Sequence, residues 1–231
     1  MKEAYIRFMA PVIPSTTDQL LRIVDTKLKA QVERLHLMIS SPGGSVFHGL
    51  SICNFLKGAP VEVYTYNFAS VDSIGVVIFC AGDRRFSVPH ARFLIHGVQA
   101  NFQGNQSLDE KGLEERLKGL QIDYQNIARV IADTTQKPAH KVQVDMNART
   151  TLNPQEAKDY GLVHEIKSEL FPVGADFSVV GEPIQQPQQI QIPLPHGLIA
   201  PSPGQHMAVP EVKGFTVSAS LGYGTYFDNI S

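Results

Sequence analysis

Apolar and polar residues alternate over Ala4, Ile6 and Phe8, the period-two signature of a half-buried strand, and Pro11 and Pro14 stop it. Ser15-Thr16-Thr17-Asp18 then offers an N-cap to a helix with Leu20, Leu21, Val24 and Leu28 on one face. A second strand, Leu35 to Ile39, leads into the turn Ser41-Pro42-Gly43-Gly44-Ser45, and a helix carrying Ile52, Phe55 and Leu56 ends at Gly58 and Pro60. Val61 to Tyr66 alternates as a third strand. The run from Ser73 to Cys80 is too uniformly apolar for a surface helix, so burial in the core is expected. Short strands at Arg85 to Val88 and Arg92 to His96 follow, then a turn or ribbon from Gly97 to Gln106. Strand, helix, strand, turn, helix is the rhythm of right-handed parallel units, which makes the class α/β.

From Leu108 to Thr135 the pattern turns helical, with Leu113, Leu117, Leu120, Tyr124, Ile127 and Ile131 at three- or four-residue steps. A helix of that length protrudes from a compact sheet domain, and its apolar stripe needs a partner; a second subunit is the economical one. Pro138 starts a short helix, and Asn153-Pro154 opens another that closes at Tyr160-Gly161, proline first and glycine just past the end. Leu162-Val163 leads into a last strand. Beyond about Gly181 the chain becomes Gln, Pro and isolated aliphatics, the composition of an extended linker or tail. The final segment, Phe215 to Phe227, alternates weakly and is read as a strand or partner-binding segment.

Composition narrows the function classes. The 231 residues suffice for one good core, and 43% hydrophobic with 18% charged residues is ordinary for a folded soluble protein. A formal charge of −2 favours neither nucleic acid nor an anionic membrane as partner. Met1 to Ala10 contains Lys2, Glu3 and Arg7 and lacks the apolar core of a signal peptide, and no run reaches the length of a membrane span, so a cytoplasmic location is expected. Cys53 and Cys80 sit in separate apolar runs and read as buried free thiols, with no metal site. Histidines other than His96 are scattered and read as surface residues.

Ser73 stands where a helix starts after a turn, in Asp72-Ser73-Ile74-Gly75. Alone, a serine there is usually an N-cap. The ordered set Ser-Pro-Gly-Gly-Ser, Asp-Ser-Ile-Gly, Arg-Phe-Leu-Ile-His and Glu-Ala-Lys-Asp-Tyr-Gly-Leu-Val resembles the proteolytic subunit of ATP-dependent Clp protease over about Ala4 to Ile166. The resemblance implies a crotonase-like fold of ββα units with a protruding handle helix, here Leu108 to Thr135. It also implies stacked oligomeric rings around a chamber, unfolded protein or peptide as substrate, and no cofactor. Residues 1–180 form the implied peptidase domain and 181–231 the linker and extended C-terminal tail. By position, the nucleophile falls on Ser73, the general base on His96 and the oxyanion donors on the backbone N–H groups of Gly44 and Ile74. Local chemistry agrees: Gly44 lacks a Cβ and lets an amide approach closely, and a histidine at a neighbouring strand end can take the serine proton and return it. Ser70 is a rival nucleophile that breaks the spacing to Ala81-Gly82.

Two positions depart from the family pattern. Where the family supplies the acid that orients its histidine, this chain aligns Arg149, a cation unable to accept an imidazole N–H. Removing that acid from a serine protease costs roughly 10⁴-fold in kcat. Asp145 and Asn147 are the candidate substitutes, and an ion pair of Arg149 with Asp145 or Glu156 is the structural reading of the arginine. Asp72, beside the nucleophile, either burdens the serine with its charge or caps the helix. The leading expectation is a serine endopeptidase forming a homo-oligomeric ring. A scaffold subunit weakened by Arg149 and a crotonase-type acyl-CoA enzyme are the alternatives. The chain starts at its first strand rather than at an axial loop, which leaves docking to a ring ATPase open.

Overall fold

In a computed structural model of the chain, residues 2–99 and 107–181 are described. The chain divides into two units, residues 1–184 and 185–231, and the description concerns the first. Most of the ribbon expected up to Gln106, the linker and tail after Gly181, and the segment Phe215 to Phe227 lie outside the described residues.

The elements are β1 (Glu3–Met9), α1 (Pro14–Lys29), β2 (Arg34–Ser41), α2 (Val46–Gly58), β3 (Glu62–Asp72), α3 (Ile74–Phe79), β4 (Arg84–Ser87), β5 (Arg92–Ile95), α4 (Glu110–Thr135), α5 (Ala139–Asn147), β6 (Thr150–Leu152), α6 (Pro154–Tyr160), β7 (Glu165–Ile166) and β8 (Phe177–Val180). The sheet runs β6-β5-β3-β2-β1-β8, with β4 and β7 branching from β3. Every pairing is parallel except β5 with β6. β3 is long enough to serve two neighbours in succession: Tyr64 to Asn67 pair with β4, and Ser70 to Asp72 pair with β5.

Strand alternation sorts the core onto two faces. Ile6 and Phe8, Leu37 and Ile39, Val63 and Val71, Phe93 and Ile95 share one cluster with buried residues of all six helices. On the other face Tyr5, Met38, Tyr66 and Phe86 form a smaller aromatic cluster, against which Leu170 and Phe177 pack. Lys167 lies over the Phe86 ring, 4.0 Å from its centroid, and Arg34 over Tyr64 at 4.5 Å.

Local sequence explains most boundaries. Asn153 and Glu156 form a reciprocal capping box on α6, and Gly161 closes it at φ 94. α1 begins earlier than the Ser15 to Asp18 cap implied: Pro14 takes the first helical position, and the Thr16 hydroxyl accepts from the Ile13 N–H (3.2 Å) while donating to the Pro11 carbonyl (2.7 Å). β3 continues to Asp72, six residues past the expected end, because pairing with β5 outweighs the weak propensity of Ala69 and Ser70. β6 and β8 carry too few residues to register as alternation and form by pairing with strands already in place. α4, about 39 Å long at 1.5 Å per residue, buries Ile127, Ala128 and Ile131 in its second half, while Leu113 and Leu117 in its first half stay 54% and 56% exposed.

One histidine departs from the surface expectation. His36 is buried, stacked on Tyr5 with centroids 4.4 Å apart, its Nδ1 2.7 Å from the Tyr66 hydroxyl. Its Nε2 lies 3.4 Å from Glu3 Oε2 without hydrogen-bond geometry. Burial pushes its pKa below the ordinary 6.5, the nearby Arg34 and Lys167 cations push the same way, and Glu3 opposes them. Just below pH 6.5 the unfolded chain therefore binds more protons than the folded one, and stability falls as pH drops from 6.5 toward the lower folded value. Urea midpoints measured from pH 8 downward should be flat and then decline below about 6.5. The His36→Gln variant should lose that part of the decline; an unchanged profile would mean that other groups carry it.

Candidate active site

Three adjacent strands deliver the candidate residues at their carboxyl ends, where parallel sheets place ligand sites. β2 ends in the Pro42-Gly43-Gly44 turn, β3 runs directly into Ser73, and β5 runs into His96. Ser73, His96, Gly44 and Ile74, four of the six positions singled out from sequence, line one cleft of about 130 Å³ with Val46, Val98 and Ile127.

Ser73 is not an ordinary N-cap. Its backbone sits at φ 58, ψ −127, and its side chain makes no capping hydrogen bond. A non-glycine residue in this region is strained, and such strain gathers where a sharp strand-to-helix turn presents a side chain. The turn is held by Ser73 N–H donating to the Leu94 carbonyl (2.8 Å) and Val76 N–H donating to the Ser73 carbonyl (3.0 Å). Gly43 presses against it at φ 90: a Cβ there would stand 2.6 Å from Ser73 Cβ. Sequence reasoning marked Gly44 and passed over Gly43, although the Gly-Gly pair was the available signal.

The adjoining loop is tied to the chain after β1. Val12 N–H donates to the Gly43 carbonyl and Ser45 N–H to the Val12 carbonyl, both at 2.8 Å. Gly44 N–H, between these two bonds, has no partner among the described residues. Ile74 N–H opens α3 and has no acceptor within the helix. Both amides belong to residues lining the cleft.

His96 is half-buried, with Nδ1 2.7 Å from the Gly97 carbonyl. A carbonyl only accepts, so Nδ1 is the donor in this contact and Nε2 is the nitrogen left for Ser73. No hydrogen bond joins His96 to Ser73 in this structure; such bonds often tighten only in the substrate complex. Gly97 N–H donates to Met146 O (3.1 Å), which ties this segment to α5.

The two candidate third members lie on other partners. Asp145 Oδ2 accepts from the Tyr160 hydroxyl at 2.7 Å, and Asn147 Oδ1 lies 3.1 Å from the Tyr124 hydroxyl; neither bonds to His96. Burial, reinforced by Asp145, pushes the Tyr160 phenol well above its usual range. The acceptor on His96 is instead a backbone carbonyl, which leaves no mark in a sequence. Arg149 is exposed, adopts φ 54 and forms no ion pair with Asp145 or Glu156. Pairing of Ile95 with Thr150 places Arg149 one step further along, at the level of His96. Asp72 neither caps α3 nor stands unpaired: Arg92 donates to Oδ2 and the Ser70 hydroxyl to Oδ1, both at 2.9 Å. That bond also occupies Ser70, the rival nucleophile.

A Clp protease family model matches residues 1–169. This chain belongs to the Clp protease family. It is 30% identical over 159 residues to "ATP-dependent Clp protease proteolytic subunit 2" of Parasynechococcus marenigrum, covering 65% of this chain and 78% of that protein. The protein of the same name from Corynebacterium glutamicum is 30% identical over 134 residues, covering 57% and 65%. A solved structure of a ClpP1 point mutant from Listeria monocytogenes matches with a TM-score of 0.62 at 25% identity, over 71% of this chain and 91% of that one. The fold is thus the crotonase-like α/β fold of ClpP. Clp protease family members are serine endopeptidases that form oligomeric rings and work with Clp ATPases. Among the described residues, no helix is long and apolar enough to cross a membrane, and no group of His, Cys, Asp and Glu side chains is placed to hold a metal ion. Cys53 and Cys80 are both buried and unpaired.

The Gly43 contact is directly testable. Gly43→Ala adds a strained φ and a clash with Ser73, a cost on the order of 1–3 kcal/mol. It should lower the melting temperature and abolish labelling by a fluorophosphonate probe. Wild-type labelling in the variant would show that the contact does not position Ser73.

Proposed function

We propose that this chain cleaves peptide bonds through an acyl-enzyme on Ser73. His96 Nε2 takes the Ser73 proton as Oγ bonds to the peptide carbonyl carbon. The carbonyl oxygen becomes an oxyanion facing the Gly44 and Ile74 N–H groups, which gain most when charge develops. Collapse breaks the C–N bond, and His96 returns the proton to the departing amine. Water, deprotonated by His96, then attacks the ester, and Ser73 leaves with the proton restored. The observation that carries this reading is the strained, uncapped Ser73 in one cleft with His96 and two unpaired amides. An acyl-CoA enzyme would use the amide pair without needing a serine held at φ 58.

Unfolded polypeptide is the substrate class, with the cytoplasm as the proposed location. A homo-oligomeric ring is the proposed assembly, and the exposed Leu113 and Leu117 on α4 support burial of that stripe against another copy. A Clp-type ring ATPase is the partner proposed from family membership.

Two experiments decide the chemistry. A fluorophosphonate should label the purified protein, and Ser73→Ala should abolish labelling while keeping the circular dichroism spectrum; labelling that survives the substitution places the nucleophile elsewhere. The second concerns rate. A neutral carbonyl on His96 Nδ1 stabilises imidazolium less than a carboxylate does, so turnover should be slow. Arg149→Asp introduces a carboxylate at the level of His96, at a left-handed position that aspartate tolerates. It should raise kcat on a fluorogenic peptide by roughly tenfold or more, within the 10⁴-fold that such an acid supplies; an unchanged kcat would mean that position 149 does not reach the imidazole.

A further inference from the structure

Two independent contacts bring Arg149 beside the catalytic cleft. In the antiparallel pair of β5 and β6, Ile95 is in register with Thr150, so the next step along each strand brings His96 level with Arg149. The Met146 carbonyl accepts both from the Gly97 N–H (3.1 Å) and from the Arg149 N–H (3.2 Å), so these two amides converge on one oxygen. His96 and Gly97 both line the cleft that holds Ser73.

The backbone of Arg149 has a local explanation, and its charge has none. The residue sits at φ 54 just past Ala148, the cap of α5, in the left-handed turn that closes many helices. Glycine suits that turn best, and a cation there gains modestly from the helix dipole. Neither effect makes a charge necessary, because Gln31 after α1 and Gln136 after α4 hold the same conformation with neutral side chains. Arg149 is exposed and forms no ion pair among the described residues. Asp145, four residues earlier, is already held by the Tyr160 hydroxyl. The planar fork of an arginine matches a carboxylate through two parallel N–H bonds.

We propose that Arg149 selects substrates carrying a carboxylate close to the scissile bond, on the β6 side of His96. The inference rests on the peptidase reading of Ser73 and adds a substrate feature to it. A Glu or Asp side chain and the terminal carboxylate of a short peptide offer the same two oxygens. Either can pair with the guanidinium while the scissile carbonyl faces the Gly44 and Ile74 amides. At an exposed position such a pair contributes modestly and weakens with salt.

The test uses the full chain and three fluorogenic peptides of equal length. One carries Glu beside the scissile bond and an amidated end, the second carries Gln there with an amidated end, and the third is the Gln peptide with a free C-terminal carboxylate. Wild type should favour at least one carboxylate peptide over the neutral one in kcat/KM by roughly 2- to 5-fold, the scale of an exposed ion pair. That margin should shrink between roughly 0.05 M and 0.5 M NaCl. Arg149→Gly removes the cation and suits the left-handed turn, so it should erase the margin while keeping the circular dichroism spectrum. Arg149→Asp should turn the margin into a preference for the neutral peptide. Fluorescence anisotropy of the same peptides on Ser73→Ala protein, with and without Arg149→Gly, reads binding without chemistry. If wild type turns over none of the peptides but Ser73→Ala protein holds a carboxylate peptide more tightly through Arg149, the peptidase reading falls and this proposal stands. Equal kcat/KM or equal affinity across the three peptides, or a margin that survives Arg149→Gly, would overturn the proposal. So would an Arg149→Gly protein of altered native mass, which would assign the guanidinium to a carboxylate of another copy.

Discussion

Ser73 must stay in a backbone conformation that serine avoids, and much of the fold can be understood as the means of keeping it there. The strain at φ 58, ψ −127 is worth on the order of 1–3 kcal/mol. On one side β3 delivers the residue under tension, its last three residues paired with β5. On the other side all six residues of α3 are buried, each large one contributing about 1.5–3 kcal/mol of burial. Relaxing Ser73 would swing α3 out of the core, so burial of Val76, Val77, Ile78 and Phe79 offsets the strain. Gly43 packs closely against the turn, where an added Cβ would stand 2.6 Å from Ser73 Cβ and 3.2 Å from its Oγ.

His96 is held in a different way. It lies just past the end of a four-residue strand, in irregular chain, and its position depends on what stands behind it. Gly97 N–H reaches Met146 on α5, and the Tyr124 ring of α4 lies 3.6 Å from where a Gly97 Cβ would be. The Tyr124 hydroxyl in turn reaches Gln143 O at 2.9 Å. The base is therefore mounted on the root of the handle, while the nucleophile is mounted on the sheet.

What could be read in advance follows from how local each signal is. The buried character of Ser73 to Cys80, the long helix and the proline and glycine boundaries of α6 depend on neighbours in sequence, and they were legible. Extension of β3 to Asp72 was not, because residues such as Ala69 and Ser70 become strand only when β5 lies alongside. The burial of His36 was hidden for the same reason: Tyr5 and Tyr66, which enclose it, come from the two flanking strands. Ser73, His96, Gly44 and Ile74, positions taken from the family resemblance, line one cleft. The acceptor on His96 could not be foreseen, since every residue has a carbonyl and only the fold decides which one an imidazole meets.

Asp72 shows how strand parity settles a question that adjacency leaves open. A carboxylate one residue from a nucleophile reads as a threat to the serine's reactivity. Along a strand, however, neighbouring side chains leave on opposite faces. Asp72 follows Ser70, and both meet Arg92, whose backbone is in register with Ser70. That face also carries the aromatic cluster and its overlying cations, while the other carries the helices and the catalytic elbow. The sheet thus separates a charged, aromatic face from a reactive one. Asp72 therefore stands beside Ser73 with its carboxylate held by the Arg92 cation and the Ser70 hydroxyl.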